Sequence, residues 1–85
     1  MDAVRDRISR LVARELDLTE DRIVETASLE ADLSATSTDL VELVMSVEDE
    51  FRIDISDDEA SHLKTVGDLV AFVEKKVRAE QNGPA

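Results

Sequence analysis

The sequence predicts an all-α domain: a four-helix bundle of three longer helices, one short third helix and a long first loop. Two observations carry that prediction. Apolar residues return at steps of three and four along three separate segments, as they do on one face of a helix. Helix-start pairs, a hydroxyl residue followed three positions later by an acid, stand at Thr36–Asp39, Ser56–Glu59 and Thr65–Asp68. The length of 85 residues suits a single small domain, and no internal repeat divides it.

The first helix spans Asp2 to Leu16, with Val4, Ile8, Leu11, Val12 and Leu16 on one stripe and Arg5, Arg7, Arg10 and Arg14 on the other face. From Asp17 to Ala35 the period is lost. Leu18, Ile23, Ala27, Leu29 and Leu33 are spaced anchors of a long connection pinned across a core, with one helical turn near Glu20 to Ile23. A crossing connection of that length permits the helices on either side of it to run roughly parallel. The second helix is capped at Thr36, with Ser37 the competing cap, and Leu40, Val44, Val47 and Phe51 form its core stripe. Ser56 and Glu59 form a capping box for the short third helix, between Ile53 and Ile55 on one side and Leu63 on the other. The fourth helix starts at Thr65 and buries Val66, Leu69, Val70, Val73 and Val77. Lys75, Lys76 and Arg78 near its end suit the helix dipole. The domain occupies residues 1–80, and 81–85 form a disordered tail.

Composition narrows the function. Without cysteine there is no disulfide framework and no Cys-based zinc or redox site, which suits a reducing cytoplasm. No apolar run approaches the roughly 18 residues of a membrane span, so no stable membrane association is expected. The net charge of -11 argues against nucleic acid and for basic protein surfaces as partners. That charge is local: residues 36–61 hold nine acids and only Arg52. So short a chain has little left after building a core to wall off a deep substrate pocket. His62 stands without a second His or any Cys, so a carrier or adaptor is expected before an enzyme, with no catalytic residue.

A serine at the start of an acidic helix, after a long loop, is chemically notable. A phosphoryl group attached to Ser37 would meet the positive end of the helix dipole and free backbone N–H groups. The run Val41-Glu42-Leu43-Val44-Met45, then Glu48-Asp49-Glu50-Phe51, Ile55-Ser56-Asp57-Asp58-Glu59-Ala60 and Thr65-Val66, resembles the acyl carrier protein family of bacterial fatty acid synthesis. The resemblance extends from residue 2 to about 78. It implies that Ser37 carries 4′-phosphopantetheine, a long arm whose thiol holds acyl groups as thioesters. Polyketide or lipopeptide starter units would use the same body. The family usually reads Gly, any residue, Asp-Ser-Leu across this junction; here Ser34, Ala35, Thr36, Ser37 and Thr38 stand there.

The resemblance further implies an acyl groove at Leu43, Val47, Leu63 and Leu69. Thr38, Asp39, Val41, Glu42, Met45, Glu48, Asp49 and Asp57 form the expected partner surface, two edge apolar residues beside acids that suit Arg/Lys patches. The partners implied are a phosphopantetheinyl transferase and acyl-loading, acyl-transfer or condensing enzymes with basic docking patches, acting on a monomer. The alternative is an unmodified acidic adaptor of the same fold. No metal site is expected: Asp54, Ser56 and Asp58 alternate as in a calcium loop, but the glycine at its sixth position and the glutamate at its twelfth are missing. His62 reads as a surface residue of the third helix.

Overall fold

The structure, a computed structural model, describes residues 3–81. Ala3–Leu16 form α1, Ser37–Phe51 α2, Asp57–Ala60 α3 and Val66–Gln81 α4, with a 3-10 turn at Glu20–Arg22 in the first loop. The all-α bundle and its long first loop are thus as expected. Asp2, assigned to the first helix, and residues 82–85, assigned to the tail, lie outside the described residues. Gln81, placed in the tail, is instead the last residue of α4.

The stripes of α1 and α4 are their buried faces. Ile8, Leu11 and Val12 meet Val66, Leu69, Val70 and Val73 in one core, with Val4, Leu16 and Val77 packed at its edge. The stripe of α2 faces the core as expected, and Leu43, outside that stripe, joins it. Leu43 and Val47 are buried, whereas Leu40, Val44 and Phe51 are only partly so. Leu40 and Val44 pack against the core and also line a cavity beside α3.

The first turns of α1 meet the last turn of α2. The Arg7 guanidinium donates to the Glu50 carboxylate at 2.8 and 3.1 Å and to the Glu50 carbonyl at 3.1 Å. It also lies 4.4 Å from the centre of the Phe51 ring. The N-terminal half of α1 is thus tied to the C-terminal end of α2.

The first loop is held by its backbone as much as by its apolar anchors. Ile23, Ala27, Leu29, Leu33 and Ala35 are buried. The loop also pairs with the junction between α3 and α4: Leu29 N–H donates to the Lys64 carbonyl at 2.9 Å, Val66 N–H to Ala27 at 3.0 Å and Gly67 N–H to Glu25 at 2.9 Å. A Cβ at Gly67 would lie 3.0 Å from the Glu25 carbonyl oxygen, so only glycine admits this approach without a shift. These ties give a 20-residue connection a fixed course, which side-chain periodicity does not announce.

Both ends of the short third helix follow from local chemistry. Glu59 N–H donates to Ser56 Oγ at 3.1 Å, and Ser56 N–H donates to the Glu59 carboxylate at 3.0 Å. At the far end Ser61 Oγ donates to the Asp58 carbonyl at 2.6 Å. His62 is exposed just beyond α3, and its Nδ1–H donates to the same carbonyl at 2.8 Å. Thr65 and Asp68 repeat the capping arrangement for α4, Asp68 N–H donating to Thr65 Oγ1 at 3.0 Å and Thr65 N–H to the Asp68 carboxylate at 3.2 Å.

Candidate functional site

The start of α2 is built by two residues that free a third. Asp39 N–H donates to Thr36 Oγ1 at 3.1 Å and Thr36 N–H donates to the Asp39 carboxylate at 3.0 Å, a reciprocal box that satisfies two orphan backbone donors. Thr36 is therefore the cap, and the competition with Ser37 is decided. Ser37 is the first residue of the helix, exposed, and its hydroxyl has no hydrogen-bond partner among the described residues. The approach to it is fixed from the loop side, where Ala35 is buried and its N–H donates to the Leu29 carbonyl at 2.8 Å. Ser34 reaches that course with a left-handed φ of 59°, a conformation that glycine adopts without cost.

One turn beyond Ser37 begins a cavity of about 300 Å³, within the range of small-molecule sites. Leu40, Leu43, Val44, Leu63 and Leu69 form much of its apolar wall. Val41 and Met45, 59% and 61% exposed, stand at its edge with Glu48 and Asp57. Three of the residues expected to form a groove, Leu43, Leu63 and Leu69, meet here. Val47 does not: it is 0% exposed and sits in the core, on the side of α2 that packs inward. Leu29, Leu40, Val44 and Ile55 also line the cavity; the sequence assigned them to the core and not to a groove.

The acids expected on the partner surface are of two kinds. Asp39 spends its carboxylate on Thr36 N–H, and Glu48 accepts a 2.8 Å hydrogen bond from Ile55 N–H, bracing the turn after α2. Glu42, Asp49 and Asp57 are exposed, and their carboxylates carry no hydrogen bond or ion pair among the described residues. Thr38 is exposed beside Ser37. The face thus combines three unengaged carboxylates with the exposed apolar pair Val41–Met45. Among the described residues no group of acids and histidines is arranged to hold a metal ion. No helix among them is long and apolar enough to cross a membrane.

A family profile described as a phosphopantetheine attachment site matches residues 6–73. The acyl carrier protein of Phenylobacterium zucineum is 44% identical over 79 residues, which cover 93% of this chain and the whole of that relative. The chain belongs to the acyl carrier protein family. The acyl carrier protein of Caulobacter vibrioides is 45% identical over 76 residues, 89% of this chain and 97% of that one. A solved structure of the acyl carrier protein from Enterococcus faecalis superposes with a TM-score of 0.74 at 29% identity, covering 86% of this chain and 92% of that one.

Membership makes this an acyl carrier protein that works with a covalently attached 4′-phosphopantetheine, a carrier and not an enzyme. Its partners are the transferase that installs that group and enzymes that handle acyl chains. The unmodified adaptor gains no support from these relatives. The chain's own residues suit the group: an exposed hydroxyl with no competing bond, free helix-start N–H groups for a phosphate, and an apolar cavity one turn away. When bound, the group supplies a flexible thiol that holds an acyl chain as a thioester.

Proposed function

We propose that Ser37 is the residue that carries 4′-phosphopantetheine, and that Leu43, Leu63 and Leu69 shelter the acyl chain. The observation that carries this reading is the division of labour at the start of α2: Thr36 and Asp39 complete the cap between themselves and leave the Ser37 hydroxyl exposed. Ser37 Oγ would form a phosphodiester whose charge faces the N-terminal end of a 15-residue helix. From Ser37 the arm reaches the cavity edge past Leu40 and Val41, about 5–6 Å along the helix axis. The apolar wall then removes the acyl chain from water at about 0.8 kcal/mol per buried methylene.

Docking in this reading uses Thr38, Val41, Glu42, Met45, Asp49 and Asp57. Glu42, Asp49 and Asp57 steer a basic enzyme surface, and Val41 and Met45 supply the contact that persists at moderate salt. Asp39 and Glu48 serve the same face indirectly by fixing its backbone. The carrier acts as a cytoplasmic monomer on transferases and acyl-loading or condensing enzymes with basic patches.

Coexpression with a broad-range phosphopantetheinyl transferase, followed by intact-mass measurement, tests the attachment. One phosphopantetheinyl group is expected on the wild type and none on Ser37→Ala, with unchanged circular dichroism. Persistence of the group in Ser37→Ala, or its absence from the wild type with several transferases, would refute the assignment.

A further inference from the structure

The chain carries a second charged surface, of opposite sign and away from Ser37. Arg7, Arg10 and Arg14 recur on α1 at steps of three and four and form one row about 10 Å long at 1.5 Å per residue. With Leu11 and Glu50 they line an open concavity of about 400 Å³. Arg7, at one end, is fixed by Glu50 and Phe51. Arg10 and Arg14 are exposed, and neither guanidinium has a hydrogen bond or ion pair among the described residues. Unengaged guanidinium groups side by side stand out in a chain where 21 acids face 10 bases.

The chemistry of the surface selects its occupant. A net charge of -11 repels a nucleic acid or an anionic bilayer approaching from a distance. The arginine row acts only locally, within a screening length of about 8–10 Å. It therefore suits a locally acidic protein segment that arrives edge-on, and not an extended polyanion. The pairing of Arg7 with Glu50 already shows the mode, a carboxylate from one helix held by two N–H donors of a guanidinium on another. A helix with carboxylates at the same pitch would continue that pattern onto Arg10 and Arg14. We propose that the Arg7–Arg10–Arg14 row is a second docking surface, which takes an acidic helical segment of a partner protein. Arg7 meets the end of α2 that is about 20 Å along its axis from Ser37, so this surface and the acidic face are open to two contacts at once.

The test uses the full chain, isotope-labelled, and a synthetic alanine-based helical peptide with glutamates at i, i+3 and i+7. At low salt, amide shifts are expected for residues 7–14 and for Glu50 and Phe51, fading as salt rises. Arg10→Glu with Arg14→Glu should weaken binding about tenfold or more through like-charge contact. Arg10→Gln with Arg14→Gln should fall between that and the wild type. Both changes are at exposed, unpartnered positions, so the thermal melt should hold. Three results would overturn the proposal: no peptide binding, equal binding of a peptide with scrambled glutamate spacing, or shifts spread evenly over Lys64, Lys75 and Arg78. Tighter binding of phosphatidylglycerol vesicles or a single-stranded oligonucleotide would overturn the assignment to a protein segment.

Discussion

Replacing Ser34 with glycine should stabilise the chain, although no contact is gained. Ser34 has φ 59° and is exposed, three residues before the proposed attachment serine. A side chain in the left-handed region costs about 1–2 kcal/mol through the clash of its Cβ with the following carbonyl. Glycine removes that cost but returns about 0.4–1 kcal/mol through the greater freedom of the unfolded chain. The net gain is about 0.5–1 kcal/mol. For a domain of this size about 4–8 °C accompanies each kcal/mol, so the melting temperature should rise by about 2–8 °C. Thermal melts followed by circular dichroism measure it, with Ser34→Val as the opposite control, since a β-branched residue fits this backbone least. A melting temperature that falls in Ser34→Gly, or does not fall in Ser34→Val, would refute the reasoning. Because the helix start is held separately by Thr36 and Asp39, modification of Ser37 by a given transferase should change by less than about twofold, within the scatter of a few tenths of a kcal/mol.

Thr36→Ala removes the side-chain acceptor for Asp39 N–H and should cost about 0.5–2 kcal/mol in chemical denaturation, most of which Thr36→Asp should restore. Leu43→Ala, at 2% exposure, should cost about 2–5 kcal/mol, whereas Leu63→Ala, only partly buried, should cost clearly less while shortening the protection of a bound acyl chain from added thiols. Glu59 titrates below the ordinary glutamate range, chiefly because Ser56 N–H donates to its carboxylate and secondarily because Lys76 lies 3.3 Å away. A folded-state pKa below the unfolded one gives stability that is complete above the ordinary value and lost as pH falls through the lowered one. The melting difference between wild type and Glu59→Gln should therefore be largest near neutral pH and shrink in acid; a difference independent of pH would count against the bond. On the acidic face, Glu42→Lys with Asp57→Lys should slow modification at low salt without lowering stability, while Glu48→Gln should lower stability through the weakened tie to Ile55 N–H.

Local chemistry was the legible part of this fold. The three hydroxyl–acid pairs at helix starts depend on residues three apart, and all three form the expected bonds. The stripes of α1 and α4 were equally legible, because one face of each meets a single core. That of α2 was legible as a core face, but not that Leu40, Leu43 and Val44 also line a cavity, since an apolar residue reads the same whether it meets a core or a cavity wall. The antiparallel tie of the first loop to Lys64, Val66 and Gly67 is made by backbone groups that every sequence possesses. Gly67 was its one trace: a glycine in the first turn of a helix, where it weakens the helix, invites a reason such as close backbone approach. Nor does residue type reveal that Asp39 and Glu48 brace the backbone while Glu42 and Asp57 stand free.

The distribution of bonds around the cavity determines which wall can yield. Leu43 belongs to α2, fifteen residues long, and Leu69 to α4, sixteen residues long; both side chains also belong to the core. Displacing either would expose the core that α1 completes. The remaining wall holds Ala60, Ser61 and Leu63, on and just after α3, a helix of four residues with none buried. A single turn has too few internal bonds to stand alone, so α3 persists through its Ser56–Glu59 box, the Ser61 hydroxyl and the half-buried pair of Glu59 with Lys76. Each of these is a surface contact of modest strength, and each can re-form with water. In the proposed role the cavity admits and releases a chain, which needs one wall that moves without unfolding the others, and α3 contributes no residue to the buried core.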